Sequence, residues 1–278
     1  MSILHTANKQ IDSLDVNSSG QRIVIGLSSL EGNTWDGGLK ILSREGFEVC
    51  SKYSPAGISM VRFSGSRLLL VGRDDGVVVM YSSDKLEEMQ IFEIHDDIVS
   101  CVADDPHNES QFASCGWDGN IYIWDWRLHV SKQAPLNSYC NAHNGHVNDV
   151  RYSPFNQDIF SSVGQDGLLR VWDKRESPSS GCASIINIGQ ACSCLSHEIS
   201  NDNILYVGTD SGEISVVDPK GTKPVLFNSK LHNGRIRKIS PSQTSNEFLC
   251  ASDDTTYTVC SLGAGAESIT EERRSQKS

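Results

Sequence analysis

The sequence has no Cys-x-x-Cys pair, no phosphate loop of the Gly-x4-Gly-Lys-Ser/Thr type, no Gly-x-Gly-x-x-Gly and no His-Glu-x-x-His, although it holds nine cysteines, 23 glycines and eight histidines. Paired thiols, glycine-lined anion cradles and helix-borne histidine pairs are what zinc, nucleotide and metalloprotease sites require. Their absence leaves an expectation of no metal, no cofactor and no enzymatic activity. The closest cysteines, Cys192 and Cys194, would share one face of a strand, as two small packed residues do. Nine unpaired thiols point to a reducing compartment, cytoplasm and nucleus. Long apolar runs are missing too. None approaches a membrane span, and the opening MSILHTANKQ has no signal-peptide core. Basic residues are scarce: 24 Lys and Arg stand against 35 Asp and Glu, for a net charge of −11. Direct nucleic-acid binding needs a basic footprint, whereas an acidic surface suits a basic protein partner.

What the chain does contain is a repeat. FASCGWDGNIYIWD ends at Trp124-Asp125, and FSSVGQDGLLRVWD ends at Trp172-Asp173. Weaker copies are LLVGRDDGVVVMYS, LYVGTDSGEISVVD and FLCASDDTTYTVCS, with Tyr81, Val217 and Cys260 in the tryptophan slot. A first copy places Leu42 there, and the successive spacings are 39, 43, 48, 45 and 43 residues. Each copy alternates apolar and polar residues around Gly- and Asp-rich tight turns, the pattern of antiparallel hairpins. A period of 40–45 residues built this way is that of an all-β, WD40-type β-propeller. Six blades are detectable, where seven are usual. Residues 1–262 are expected to form the propeller and 263–278 (GAGAESITEERRSQKS) a disordered tail. Residues 3–6 are expected to pair with the blade at 235–262 and close the ring.

Two sets of polar residues recur at repeat spacing: His95, Ser114, Asp118 and Trp124, and then His146, Ser162, Asp166 and Trp172. A His, a Ser and an Asp could suggest a nucleophilic triad. Recurrence once per repeat argues for a structural hydrogen-bond network instead. His232-Asn233-Gly234-Arg235 resembles the start of another such repeat.

The first repeat carries an anomaly. From the residue after its second strand to the tryptophan slot is 16 positions (Gly26 to Leu42), against nine in others, such as Gly72 to Tyr81. About seven extra residues therefore fall in the loop Ser28-Ser29-Leu30-Glu31-Gly32-Asn33-Thr34-Trp35-Asp36-Gly37. Long loops on rigid scaffolds often carry function, and tryptophan is a favoured binding hot spot. The same indole could instead fold back over its own blade.

The run GLSSLEGNTWDGGLKIL (26–42), with LLLVGRDDGVVVMY, His95-Asp96-Asp97-Ile98-Val99-Ser100 and GTDSGEISVVDPK, resembles the WD-repeat subunits of the methylosome, in order over most of residues 11–262. The resemblance implies a non-catalytic partner of the protein arginine methyltransferase that makes symmetric dimethylarginine. It implies docking through Ser28, Ser29, Leu30, Glu31, Gly32, Asn33, Thr34 and Trp35, with the tryptophan inserted into the enzyme. It also implies help in presenting basic substrates such as histones and Sm proteins. An unrelated WD40 adaptor, for instance a ubiquitin-ligase substrate receptor, is the alternative.

Overall fold

The computed structural model describes residues 9–31, 34–128, 134–179, 181–199, 201, 203–263 and 268–276. Strand makes up 59% of the described residues and helix about 1%. The chain divides into two compact units, residues 1–138 and 139–278.

The first unit holds three four-stranded antiparallel sheets. The first sheet comprises β1 (Gln10–Val16), β2 (Arg22–Glu31), β3 (Thr34–Ser43) and β4 (Glu48–Ser54). The second comprises β5 (Ile58–Ser64), β6 (Leu68–Arg73), β7 (Val77–Ser82) and β8 (Glu88–Glu93). The third comprises β9 (Val99–Asp104), β10 (Gln111–Gly116), β11 (Ile121–Asp125) and β12 (Asn137–Tyr139). Within this unit β1 packs on β5 and β5 on β9, so consecutive sheets meet through their first strands. Two apolar layers fill the gaps. One joins Val24, Leu39 and Ile41 to Ile58, Val61 and Val71, and the other joins Leu70, Val78 and Phe92 to Val102, Phe112 and Trp124.

The second unit repeats the plan. Its fourth sheet is β13 (Val147–Tyr152), β14 (Ile159–Gly164), β15 (Leu168–Asp173) and β16 (Cys182–Asn187). The fifth is β17 (Cys192–His197), β18 (Leu205–Thr209), β19 (Glu213–Val217) and β20 (Val225–Lys230). The sixth is β21 (Ile236–Pro241), β22 (Glu247–Ser252), β23 (Thr256–Leu262) and β24 (Ile269–Gln276). Here β17 packs on both β13 and β21. The six repeat hairpins seen in the sequence are the second and third strands of these six sheets. No single sheet can bury both faces, so stacking on a neighbour is what stabilises each one.

Two expectations about the chain ends need revision. The tail assigned to disorder supplies β24, paired antiparallel to β23 from Leu262↔Ile269 to Thr256↔Gln276. The fourth place in the sixth sheet, expected for residues 3–6, is thereby filled from the C-terminal side. Residues 3–6 themselves lie outside the described residues.

The tight turns explain the Asp-Gly signature. Gly76, Gly119, Gly167 and Gly212 each close a second-to-third-strand hairpin with φ between 76° and 91°. That left-handed region suits glycine because it has no Cβ. The sixth sheet has Thr255 at this position, held at φ 65°.

Candidate docking site

The β2–β3 hairpin is the feature that separates the first sheet from its siblings. Among the described residues, the extra ones do not form a loop. They lengthen both strands to ten residues and stay in register: Ser28↔Gly37, Ser29↔Asp36, Leu30↔Trp35 and Glu31↔Thr34. Only Gly32 and Asn33 separate the last pair, and they lie outside the described residues, as do the side chains of Glu31 and Thr34. Thr and Trp favour strand, so the insertion extends the ladder rather than bulging it.

The residues expected to bind a partner therefore divide by face. Ser28 is buried, and its Oγ accepts the backbone N–H of Ile58 at 3.1 Å. Ser29 Oγ donates to Asp36 Oδ1 at 2.6 Å, and Lys9 Nζ donates to the same oxygen at 2.5 Å. These donors hold the Asp36 carboxylate below its usual pKa, Lys9 first and Ser29 second. Ser28 and Ser29 thus serve the hairpin itself. Leu30 and Trp35, directly opposite each other, remain 60% and 49% exposed. Cross-strand partners of this kind form one contiguous apolar patch.

Trp35 neither points freely into solvent nor folds under its own sheet. Its indole Nε1 donates to Asp74 Oδ2 at 2.7 Å, in the β6–β7 turn of the second sheet. Asp74 N in turn donates to Gly57 O at 3.0 Å. Burial raises the Asp74 pKa, and the indole hydrogen bond partly offsets it. Nothing in the sequence announces this contact, because 39 residues separate its partners.

The recurring polar sets are tightly built. In the third sheet His95 Nδ1 meets Asp118 Oδ2 at 2.9 Å, His95 Nε2 meets Ser114 Oγ at 2.9 Å, and Trp124 Nε1 donates to Ser114 Oγ at 2.9 Å. In the fourth sheet the histidine is His143, not His146. His143 Nδ1 lies 2.8 Å from Asp166 and its Nε2 lies 2.8 Å from Ser162 Oγ, which accepts Trp172 Nε1 at 2.8 Å. The reason is geometric: each histidine precedes its Asp by 23 residues and its Trp by 29, a count that His143 meets and His146 misses by three. The next residue along seals the arrangement, since the N–H groups of Asp96, Asn144 and Asn233 donate to Asp118, Asp166 and Asp254.

With Nδ1–H donated to the carboxylate, a neutral histidine accepts the serine O–H at Nε2, and the serine oxygen accepts the indole N–H. Every polar atom along the chain from Trp to Asp is used. Ser114 and Ser162 are fully buried, so neither hydroxyl can reach a substrate. The sixth sheet builds half of the device. His232 Nδ1 meets Asp254 at 3.2 Å and Thr256 Oγ1 at 2.9 Å, but Cys250 and Cys260 hold the Ser and Trp slots and His232 Nε2 is left without a partner. The fifth sheet replaces the His, Ser and Trp slots with Ile188, Val207 and Val217, all in one apolar cluster. Exchanging the His, Ser and Trp together for apolar groups removes the need for their bonds, which is why that sheet survives without them.

Among the described residues no group of His, Cys, Asp or Glu could hold a metal ion, and no helix is long and apolar enough to cross a membrane.

Six four-stranded antiparallel sheets, two of them holding a full His–Ser–Trp–Asp network, give a fold consistent with a WD40-type β-propeller. Residues 86–125 and 134–173 each match the model of the WD domain, G-beta repeat. The chain is similar to Methylosome protein WDR77 of Xenopus laevis, 26% identical over 248 residues, covering 85% of this chain and 72% of that protein. It is also similar to the Ribosome biogenesis protein WDR12 homolog of Chlamydomonas reinhardtii, 32% identical over 105 residues, which is 33% of this chain and 23% of that one. In fold it resembles a chain in the crystal structure of the mitotic checkpoint complex, with a TM-score of 0.79 at 16% identity over 95% of this chain and 76% of that chain.

Proposed function

We propose that the chain is a non-catalytic scaffold that binds a protein arginine methyltransferase of the symmetric type through the tip of the β2–β3 hairpin. The observation that carries this reading is the exposed Leu30–Trp35 pair, presented on a hairpin longer than its counterparts. Similarity to a methylosome protein over 85% of the chain supports the choice of partner. The net charge of −11 suits a second role, helping to present basic substrates such as histones or Sm proteins. Nine cysteines without a disulfide suit residence in cytoplasm and nucleus. The networks support the non-catalytic reading, because their serines and histidines are consumed by one another.

Capture of the tagged chain from cell extract, followed by mass spectrometry, tests the proposal. A methyltransferase in stoichiometric amount, lost on Trp35→Ala, is the expected result. A ubiquitin-ligase core in its place would make the chain an unrelated WD40 adaptor.

A further inference from the structure

The exposed ring of Trp35 has its one polar atom already satisfied from within the chain. The indole N–H is given to Asp74, and the rest of the ring remains half exposed beside Leu30. An indole that becomes buried at an interface needs a hydrogen-bond partner for that N–H. Here the partner comes from the second sheet, so a receiving pocket could be wholly apolar. The hairpin is braced on its other face as well, where Lys9 and Ser29 both bond Asp36.

Gly57 completes the arrangement. A Cβ at this position would lie well inside contact distance of the Asp74 carboxylate, 2.5 Å from Trp35 Nε1 and 2.8 Å from Ser28 Oγ. The carboxylate and indole can meet only because residue 57 has no side chain. The φ of Gly57 is not in the left-handed region, so space rather than backbone conformation is what demands glycine.

We propose that Asp74 and Gly57 are positioning residues that fix Trp35 in the orientation in which it docks. This assignment rests on the docking role of Trp35 proposed above. Order already present in the free chain is order that binding does not have to impose, so the latch raises affinity without touching the partner.

The test uses the full chain labelled with 5-fluorotryptophan, with the Trp35 resonance assigned by its loss in Trp35→Phe. Asp74→Ala and Gly57→Ala should each move the Trp35 19F resonance in the free protein. Asp74→Asn, whose amide oxygen can accept the same N–H, should restore it. Titration with the arginine methyltransferase should show affinity falling roughly tenfold for Asp74→Ala and Gly57→Ala, as expected for an unpaired donor at an interface. Asp74→Asn should stay within about threefold of wild type. A purely structural role would not separate Asn from Ala in binding while all variants melt alike. If Trp35→Ala abolishes binding but Asp74→Ala and Gly57→Ala bind as wild type, the positioning assignment is wrong and the docking site stands. If Trp35→Ala leaves binding intact, both fall, whatever the resonance shows.

Discussion

Ser162 occupies the centre of its network, touching both His143 and Trp172 with no exposure to solvent. Ser162→Ala strands a buried indole N–H and a buried imidazole nitrogen, and should cost about 1–3 kcal/mol for each in a denaturant titration. His143→Ala should cost more than His146→Ala by at least about 1 kcal/mol, because only His143 joins the relay. Equal losses would remove His143 from that role. The roles of Ser162, Asp166 and Trp172 were legible from repeat spacing. The histidine was not, because Gly145-His146 mimics the dipeptide that often opens such repeats, and only the count to Asp166 corrects it. Thr255 offers a test of opposite sign. A β-branched residue in the left-handed region is strained, and glycine holds the equivalent place in four other sheets. Thr255→Gly should therefore raise stability by up to about 1 kcal/mol, net of the added freedom of the unfolded chain. A fall in stability would show that the threonine side chain is needed there.

At the scale of elements, the second and third strands of every sheet could be read from period-2 alternation. The edges could not. The segment ITEERRSQ of β24 has one apolar residue and several good helix formers, so its local preference opposes its final state. Pairing with β23 overrides that preference, as tertiary context does for edge strands. The length of β2 and β3 is not legible for a related reason. Spacing counts extra residues but does not say whether they pair, and the pairing Leu30↔Trp35 depends on register. Truncation after Gly263 should leave β23 as a bare edge above the buried Cys250 and Cys260. In the intact chain burial pushes the Cys250 pKa well up, so the thiol is inert. Reaction of these thiols with a disulfide reagent should become markedly faster in the truncated chain. Unchanged protection would show that β24 contributes nothing to the sixth sheet.

For the whole molecule, the apolar layers between sheets dominate stability, and pH acts through histidines kept neutral by burial. Burial lowers the pKa of His197 to about 4, with the Arg151 charge assisting. Burial also lowers that of His143, partly opposed by Asp166. Each native histidine binds its proton less readily than the unfolded one. The His197 contribution is complete above the unfolded value of roughly 6.5 and is lost as the pH falls from there toward about 4, and the His143 contribution is lost in the same direction. The slope for one such group is at most about 1.4 kcal/mol per pH unit. Asp118, Asp166 and Asp254, held below the usual carboxylate range despite their burial by their hydrogen bonds, add a further loss at still lower pH. The melting temperature should decline steadily between about pH 6.5 and 4.5, and His197→Gln should flatten that decline. A flat profile in wild type would contradict the assignment.

Trp35 places its exposed ring either in a partner or against its own chain. An indole inserted into a partner buries about 150–250 Å², which at about 25 cal/mol per Å² is a few kcal/mol before ordering costs. Trp172 is only 4% exposed and lies in a network. A methyltransferase titration and a melting curve, run on Trp35→Ala and Trp172→Ala side by side, separate the two roles. The expected result is that Trp35→Ala weakens binding by at least about 2 kcal/mol with little change in melting temperature, while Trp172→Ala destabilises the chain. Strong destabilisation by Trp35→Ala with methyltransferase binding intact would contradict it.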